Sequence, residues 1–579
     1  MHLQHSRPAQ PHPRSEPEVA TIDMGTAAQS LIANHTGDLL LSVIAGTGLT
    51  FVVMRRWYSS ALLRVEHFAQ SKKVWVPLCA ALLGGYLLVL ICNTMYAGYL
   101  EHVEPNIASV SFVLLRGAPL YHDLASTQRY AFPYGPMAYL PYALALRMMG
   151  ANVLSLKLVV LLANLCLLGL LWRFYRRLLD PAGALLVTTA VVAFFLLYDY
   201  LFQVRGDVLV ILSVALGLYA VLCASGSRAA LLLALACGLS FDIKFTAPFY
   251  FAPLFVLLIR RQGWRPAGLA AAGALVFAVV PFFLPGISVL RYLEWLHQTS
   301  RQPLGRGEFV RELKILPILF SPLVLLLWQL AERGRSYLRT YLYENRFFIM
   351  VSGGCLAAIA VSASKIGAGP HHFMPFYPTI AYACADVYSK IRDAAVVTSV
   401  GARATIVPLL WLWVAIVFVT QFGISFAPTA ETLLQSRSQA SAVTSDLEGA
   451  MRSHPGKSIE MGYGGWNSRY KLTYFRPALV FAGNPFTIDA VALGDMQLSG
   501  IIAIPDSTLE YLKQCKTQIW LIPKDDAPFS MLNVYSLMDS HLFPERPVFS
   551  DKFRLIFFQQ YRKQPSTKYF DIWECESQS

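Results

Sequence analysis

Ionisable side chains are scarce in this chain, and five small groups of them stand where long apolar runs stop. They are Glu101 with Glu104, Arg205 with Asp207, Asp242 with Lys244, Lys365, and His371 with His372. An ionisable group at the edge of a membrane span is costly unless it faces protein or water, so each is a candidate for function. Together these residue types suit group transfer from a phosphate leaving group. Negative charge grows on the departing phosphate, and fixed Arg and Lys donors stabilise it. The attacking hydroxyl needs a carboxylate to take its proton. Arg205, Lys244, Lys365, His371 and His372 are therefore the expected phosphate-binding residues, and Glu104 and Asp207 the expected catalytic carboxylates. No cofactor is required, although either carboxylate could hold a divalent cation. Each group also has a plainer reading. Arg205 and Asp207 can pair at a helix start, Asp242 and Lys244 can be solvated turn charges, the histidines can be interfacial packing, Glu101 can be solvated, and Glu104 can cap a helix that begins at Pro105. Their common location on one face is what raises them.

That location follows from the elements between them. The chain has 579 residues, 55% hydrophobic and 14% charged, with mean hydropathy +0.47. Soluble domains carry about 25% charge. With many apolar runs of roughly 17–23 residues, the composition says polytopic membrane protein. Spans are expected at 38–54, 75–97, 153–172, 183–200, 208–224, 229–241, 247–259, 267–285, 314–330, 347–363, 371–387 and 404–426. Basic clusters flank them: Arg55, Arg56, Lys72 and Lys73; Arg173, Arg176 and Arg177; Arg260, Arg261 and Arg265; Arg333, Arg335, Arg339 and Arg346; and Lys390, Arg392 and Arg403. Alternate crossing puts all five clusters on one side, which the positive-inside rule makes cytoplasmic. The other side receives all the groups above and everything after about 427. The net charge of +13 lies in these topology signals rather than in a stripe, which excludes nucleic acid as partner.

Four regions are expected: a disordered tail over 1–36, with no signal peptide; a membrane domain over 37–426; a small-residue linker over 427–447; and an extracytoplasmic α/β domain over 448–579. The first outer loop, 98–152, is expected to hold short interfacial helices over 107–117 and 134–150. In the last region "GIIAIPD" and "QIWLIPK" read as strands around "STLEYLKQC", a helix with Ser507 and Glu510 in capping-box spacing, and "RLIFFQQY" and "YFDIWEC" read as further strands. Seven of nine cysteines lie in or beside apolar runs; Cys515 and Cys575 in the polar region are either a disulfide or free thiols. "GYGGWNSRY" (462–470) carries Trp466, which suits carbohydrate contact or a Gly-rich turn equally.

The order of motifs resembles the GT-C membrane glycosyltransferases of the family 39 type, the group containing protein O-mannosyltransferases and aminoarabinose transferases. "HVEPNIASVSFVLLRGAPLYHD" resembles their first outer loop, and "YAFPYGPMAYLPYALALRMMGAN", which brings Tyr134, the following aromatic helix. "VRGDVLVILSVALGLYAV", "ACGLSFDIKFTAPFYFAPLFVLL" and "SKIGAGPHHFMPFYPTIAY" are similar to their later motifs. The resemblance covers about residues 75–390. It implies a polyprenyl-phosphate sugar as donor, inverting transfer of a hexosyl or pentosyl group, and an acceptor hydroxyl on a cell-envelope glycan, lipid or protein at the outer face of the cytoplasmic membrane. It implies the role of base or metal ligand for Glu104, and substrate contact for Tyr134. Many relatives have Asp before this Glu, where the chain has Val103, which favours a single base over a metal pair. Arg-Gly-Asp stands where relatives often carry Pro or Val in the middle.

A transporter or flippase for lipid-linked glycans would also place basic groups near a membrane cavity. Against it, the halves show no internal repeat, and the carboxylates sit at one edge rather than the midplane. A polymer ligase using a diphosphate donor and a non-catalytic envelope-assembly protein are two more functions that the same composition would serve.

Overall fold

The computed structural model describes residues 72–195, 199–397, 427–466, 468–533 and 546–576. The expected tail and the expected spans at 38–54 and 404–426 lie outside the described residues. The membrane domain runs through helices α1 (Lys72–Thr94), α2 (Val103–Leu115), α3 (Leu140–Met149), α4 (Val153–Leu178), α5 (Pro181–Phe195), α6 (Asp207–Cys223), α7 (Gly226–Phe241), α8 (Pro248–Gln262), α9 (Trp264–Val279), α10 (Val289–Thr299), α11 (Arg306–Arg333), α12 (Arg335–Glu344), α13 (Arg346–Ala363) and α14 (Tyr377–Val397). Among the described residues, five helices are long and apolar enough to cross a membrane: α1, α4, α9 with the turn that extends it, α11 and α13; α5, α6 and α7 are shorter and apolar.

Local sequence sets the breaks. Asn152 caps α4 by accepting from Ser155 N at 2.9 Å. Gly150 ends α3 at φ 93°, a conformation that is costly for other residues. Apolar surface is not all turned inward. On α9, Leu275 and Val276 are 72% and 63% exposed, a face suited to lipid rather than water. Helix contacts therefore rely on close approach. A Cβ on Gly238 of α7 would sit 2.5 Å from the Ala274 carbonyl of α9. The basic ends gather as the span order requires: Arg173 and Arg177 of α4 and Arg261 of α8 all surround Cys223, the last residue of α6.

The first loop differs from a pair of interfacial helices. α2 starts at Val103, so Glu104 and Pro105 lie in its first turn rather than before it, and its residues 103–111 are buried. Asn106 Nδ2 donates to Tyr130 O and Ser111 Oγ to Tyr139 O, which ties α2 into the loop.

The stretch expected as a linker is part of one helix, α15 (Ala427–Ser453). Its Ala, Gln, Leu, Arg and Glu content favours helix, and it lacks the Gly that a flexible tether needs. Beyond it come β1 (Ile459–Met461), α16 (Arg476–Phe481), α17 (Ala490–Leu498), α18 (Asp506–Lys513), β2 (Ile519–Pro523), α19 (Asp551–Gln560), β3 (Tyr561–Gln564) and β4 (Phe570–Cys575). The sheet order is β1-β2-β4-β3, with β1 parallel to β2 and the other pairs antiparallel. "QIWLIPK" and "YFDIWEC" are strands as expected, and "GIIAIPD" forms none. "RLIFFQQY" is helical up to Gln560: Ser550 caps α19, accepting from Phe553 N at 3.2 Å, and Phe553 and Phe557 bury one turn apart. Ser507 makes no capping box. Its hydroxyl donates to Ala125 O at 2.6 Å in the first loop instead. Cys515 and Cys575 form a disulfide with Cα atoms 6.0 Å apart, and Cys575 is the last residue of β4.

Candidate active site

A chain of polar contacts joins three segments at the end of the bundle that carries the C-terminal domain. Lys244 Nζ donates to Asp207 Oδ1 at 2.6 Å; Arg205 Nε donates to Asp207 Oδ2 at 3.0 Å; Arg205 Nη1 donates to Glu101 Oε2 at 3.2 Å; and Glu101 Oε1 lies 2.5 Å from His102 Nδ1. Asp207 opens α6, Lys244 sits in the turn between α7 and α8, and Glu101 and His102 precede α2. The turn is locked to the first loop: Met137 N donates to Asp242 O at 2.9 Å, and a Cβ on Gly135 would lie 2.1 Å from that same oxygen. Only glycine allows this approach.

The expected pairing of Arg205 with Asp207 is present, but as part of a larger network. Asp207 is 5% exposed, and each of its oxygens faces a cation. Arg205 also lies 4.2 Å over the ring of Tyr200. Tyr200 packs 4.8 Å from His371, which packs 4.6 Å from His372. Both histidines thus adjoin the network. Tyr250 hydroxyl donates to His372 O at 2.8 Å, and His372 Nδ1 is buried without a hydrogen-bond partner among the described residues. Tyr134 stands close enough to feel the charges of Arg205, Asp207 and Glu101. Two residues are not brought in by any contact. Lys365 Nζ donates to Thr299 O and Ser300 O, closing the end of α10. Trp466 lies in the C-terminal domain, its Nε1 donating to Leu532 O at 2.7 Å and its ring 4.2 Å from Tyr470, a packed turn.

The two carboxylates of the first loop part company. Glu104 is 0% exposed. Its Oε2 accepts from Leu100 N at 2.6 Å and Glu101 N at 3.2 Å, and its Oε1 accepts from Val204 N at 2.8 Å. Burial pushes its carboxyl above the usual range, against the pull of Lys157 and the Val204 and Leu100 amides. Glu101 keeps 19% of its side chain exposed. Burial would raise its carboxyl too, but His102 and Arg205 outweigh it and hold it down at about 2. It is ionised at every physiological pH. Among the described residues no group of three or more His, Cys, Asp or Glu side chains forms a metal site.

Two residues bear on this site that the motifs did not single out. Lys157 of α4 is fully buried and donates to Asn93 O and Tyr96 O, both at 2.9 Å, facing Glu104. Its position inside an apolar run was a readable signal. Arg476 of α16 pairs with Asp489 at 2.5 Å, both nearly unexposed, and donates to His102 O at 3.2 Å. Nothing in the local sequence marks that contact, which spans 374 residues.

A groove of about 550 Å³ opens nearby, lined by Pro119, Tyr121, His122, Gln128, Ile287 and Arg291 among others. Tyr121 connects it to the site, since its hydroxyl donates to Tyr134 O at 2.8 Å.

Comparison with known proteins agrees with this architecture. Residues 133–285, which include Arg205, Asp207 and Lys244, match the family model described as dolichyl-phosphate-mannose-protein mannosyltransferase. No curated protein matches the chain in sequence. Among solved structures, ArnT from Cupriavidus metallidurans bound to undecaprenyl phosphate aligns with 15% identity and TM-score 0.51, covering 87% of this chain and 98% of that one. The same protein in the apo state aligns with 15% identity and TM-score 0.50, covering 86% and 97%. The chain thus has the ArnT fold, with helices long and apolar enough to cross a membrane, and its segment 133–285 is similar to the mannosyltransferase family.

Proposed function

We propose that this protein moves a sugar from a polyprenyl-phosphate donor to a hydroxyl of a cell-envelope glycan, lipid or protein, at the periplasmic face of the cytoplasmic membrane. The observation that carries the reading is the fixed pair Arg205 and Lys244, both held by Asp207. Asp207 uses one of the three N–H groups of Lys244, and Asp207 and Glu101 use two of the five of Arg205. The remaining donors sit on side chains that are 6% and 7% exposed, a setting that suits a phosphate that gains charge as the sugar leaves. In the reaction the acceptor oxygen bonds to the anomeric carbon as the bond from that carbon to the phosphate oxygen breaks. The electron pair departs with the polyprenyl phosphate, and the acceptor proton passes to a base of the first loop. Asp207 orients the two cations. Glu104, the base that the sequence singles out, enters as the residue that fastens residues 100–104 to Val204, so that Glu101 and His102 meet Arg205. The basic loops support an outer location for the site, and the undecaprenyl phosphate bound to ArnT is a lipid of the required class.

The test uses purified protein in lipid nanodiscs and undecaprenyl phosphate. Arg205→Ala and Lys244→Ala each remove charge-assisted bonds worth about 1.5–3 kcal/mol, which is a loss of roughly 10–100-fold in affinity. Binding that survives both changes intact would sink the phosphate assignment.

A further inference from the structure

The unused part of the site is His102. Its Nδ1 lies 2.5 Å from Glu101 Oε1, while its side chain is 31% exposed. With Nδ1 donating to the carboxylate, Nε2 carries the lone pair, and no described residue bonds it. This is the arrangement in which a carboxylate fixes the tautomer of an imidazole and supports the charge it acquires. Six further hydrogen bonds hold the segment that carries the ring. Val103 N donates to Glu101 Oε2 at 3.0 Å. Glu104 bonds the amides of Leu100 and Glu101 on one side and Val204 on the other. Arg205 bonds Glu101. Arg476 reaches from the C-terminal domain to the His102 carbonyl. The charged groups around the imidazole are thus Glu101 and Glu104 from its own segment, Arg205 from the segment before α6, and Arg476 from α16. Glu104 cannot meet an acceptor without giving up its three amide bonds. Glu101 is held ionised by the Arg205 guanidinium and the His102 N–H and makes a poor proton acceptor. His102 is the one basic side chain of this segment that combines a free nitrogen, exposure and a fixed orientation beside the Arg205–Asp207–Lys244 network.

We infer that His102 Nε2 is the base that takes the acceptor's proton, with Glu101 as its positioning partner. The inference rests on the transferase reading. As the acceptor oxygen bonds to the anomeric carbon, Nε2 receives the hydroxyl proton, and the sugar–phosphate bond breaks with its electron pair leaving on the polyprenyl phosphate. The imidazolium so formed is paired with the Glu101 carboxylate, and its proton then passes to solvent.

The experiment has two arms on the full protein in nanodiscs. In the first, histidines are carbethoxylated with diethyl pyrocarbonate and mapped by mass spectrometry, with and without undecaprenyl phosphate, whose binding is measured separately. His102 is modified in the free protein, and saturating undecaprenyl phosphate slows that modification at least 5-fold. In the second, transfer is measured for His102→Gln, His102→Ala, Glu101→Gln and Glu101→Asp, with thermal unfolding as a folding control. Both His102 variants lose about 10²–10⁴-fold in turnover, the range for a general base, and hold undecaprenyl phosphate within about threefold of wild type. Glu101→Gln lowers kcat with little change in donor KM, and Glu101→Asp restores part of the loss, a split that mere structural damage does not give. If undecaprenyl phosphate binds but leaves His102 unprotected, or if His102→Gln keeps full transfer, the base assignment is overturned and the transferase reading stands. If wild-type protein binds no undecaprenyl phosphate, both fall.

Discussion

Glu104→Gln separates the two roles that this carboxylate can have, a reacting group or a fastener. The wild-type oxygens take three backbone donors, two on the Leu100 and Glu101 side and one on the Val204 side. An amide offers one oxygen and one NH2 group. The lower-energy placement keeps the oxygen on Leu100 and Glu101, and it turns the NH2 toward the N–H of Val204. That buried N–H is left unsatisfied at a cost of about 1–3 kcal/mol. Taking about 2 kcal/mol, opening of the segment before α6 becomes roughly 30-fold more populated. Hydrogen–deuterium exchange read by mass spectrometry resolves this, because the lost bond belongs to one named amide. Peptides containing Val204 exchange roughly 30-fold faster, and those spanning 100–104 change little. Transfer falls as well, since Arg205 and Asp207 ride on the loosened segment. If exchange at Val204 is unchanged and transfer is lost, Glu104 is a reacting group, and the reasoning from its three amide bonds is refuted.

Other perturbations have equally definite outcomes. Arg476→Ala leaves Asp489 buried without its cation, and it lowers stability by about 3–5 kcal/mol in chemical unfolding. Gly135→Ala drives a Cβ into the Asp242 carbonyl and displaces Lys244, so undecaprenyl phosphate affinity falls at least 10-fold. Replacing Cys515 and Cys575 by Ser opens a bridge between residues 60 apart and costs about 2–4 kcal/mol in unfolding of the C-terminal domain. Asp571 is pushed up by burial, but bonds from Lys563, Ser566 and the Asp525 amide leave its carboxyl below the ordinary value. A depressed carboxyl stabilises the fold above its unfolded pKa, about 3.9, and that contribution is lost as pH falls below it. Asp571→Asn therefore flattens the acid limb of the domain's stability profile, measured by unfolding at stepwise lower pH.

The membrane helices were legible because apolar run length and basic flanks are both local signals, and bilayer thickness constrains them. Arg205, Asp207 and Lys244 were legible for the same reason: each is an ionisable residue at the edge of a run. What the sequence hides is pairing across distance. Glu104 and Glu101 are alike as residues, and the positions of Val204 and Arg205, 100 and 104 residues on, give one a third amide and the other a cation. In the C-terminal region "RLIFFQQY" has the aromatic content of a strand, yet Ser550 and the spacing of Phe553 and Phe557 fold most of it as a helix. Short apolar runs do not separate the two periods unless the cap is weighed with them.

The C-terminal domain is bound to the first loop in a way that makes it part of the site rather than a passenger. Arg129 N donates to Thr487 O at 2.7 Å and Asp489 N to Arg129 O at 2.9 Å, a short backbone bridge between the two. Ser507 and Thr508 bond the carbonyls of Ala125 and Thr127, and the rings of Phe112 and Phe481 meet at 5.3 Å. Backbone partners on both sides fix register as well as proximity, which a hinged lid does not require. Asp489 also accepts from Val491 N and Ala492 N at the start of α17. The carboxylate that holds Arg476 is therefore itself held by the domain's own helix. Through one guanidinium, the domain's interior reaches the carbonyl of His102. Asp489→Asn thus disturbs residues 101–104 without touching the membrane helices, and it lowers transfer while leaving undecaprenyl phosphate affinity within about threefold, because Arg205 and Lys244 keep their own partner in Asp207.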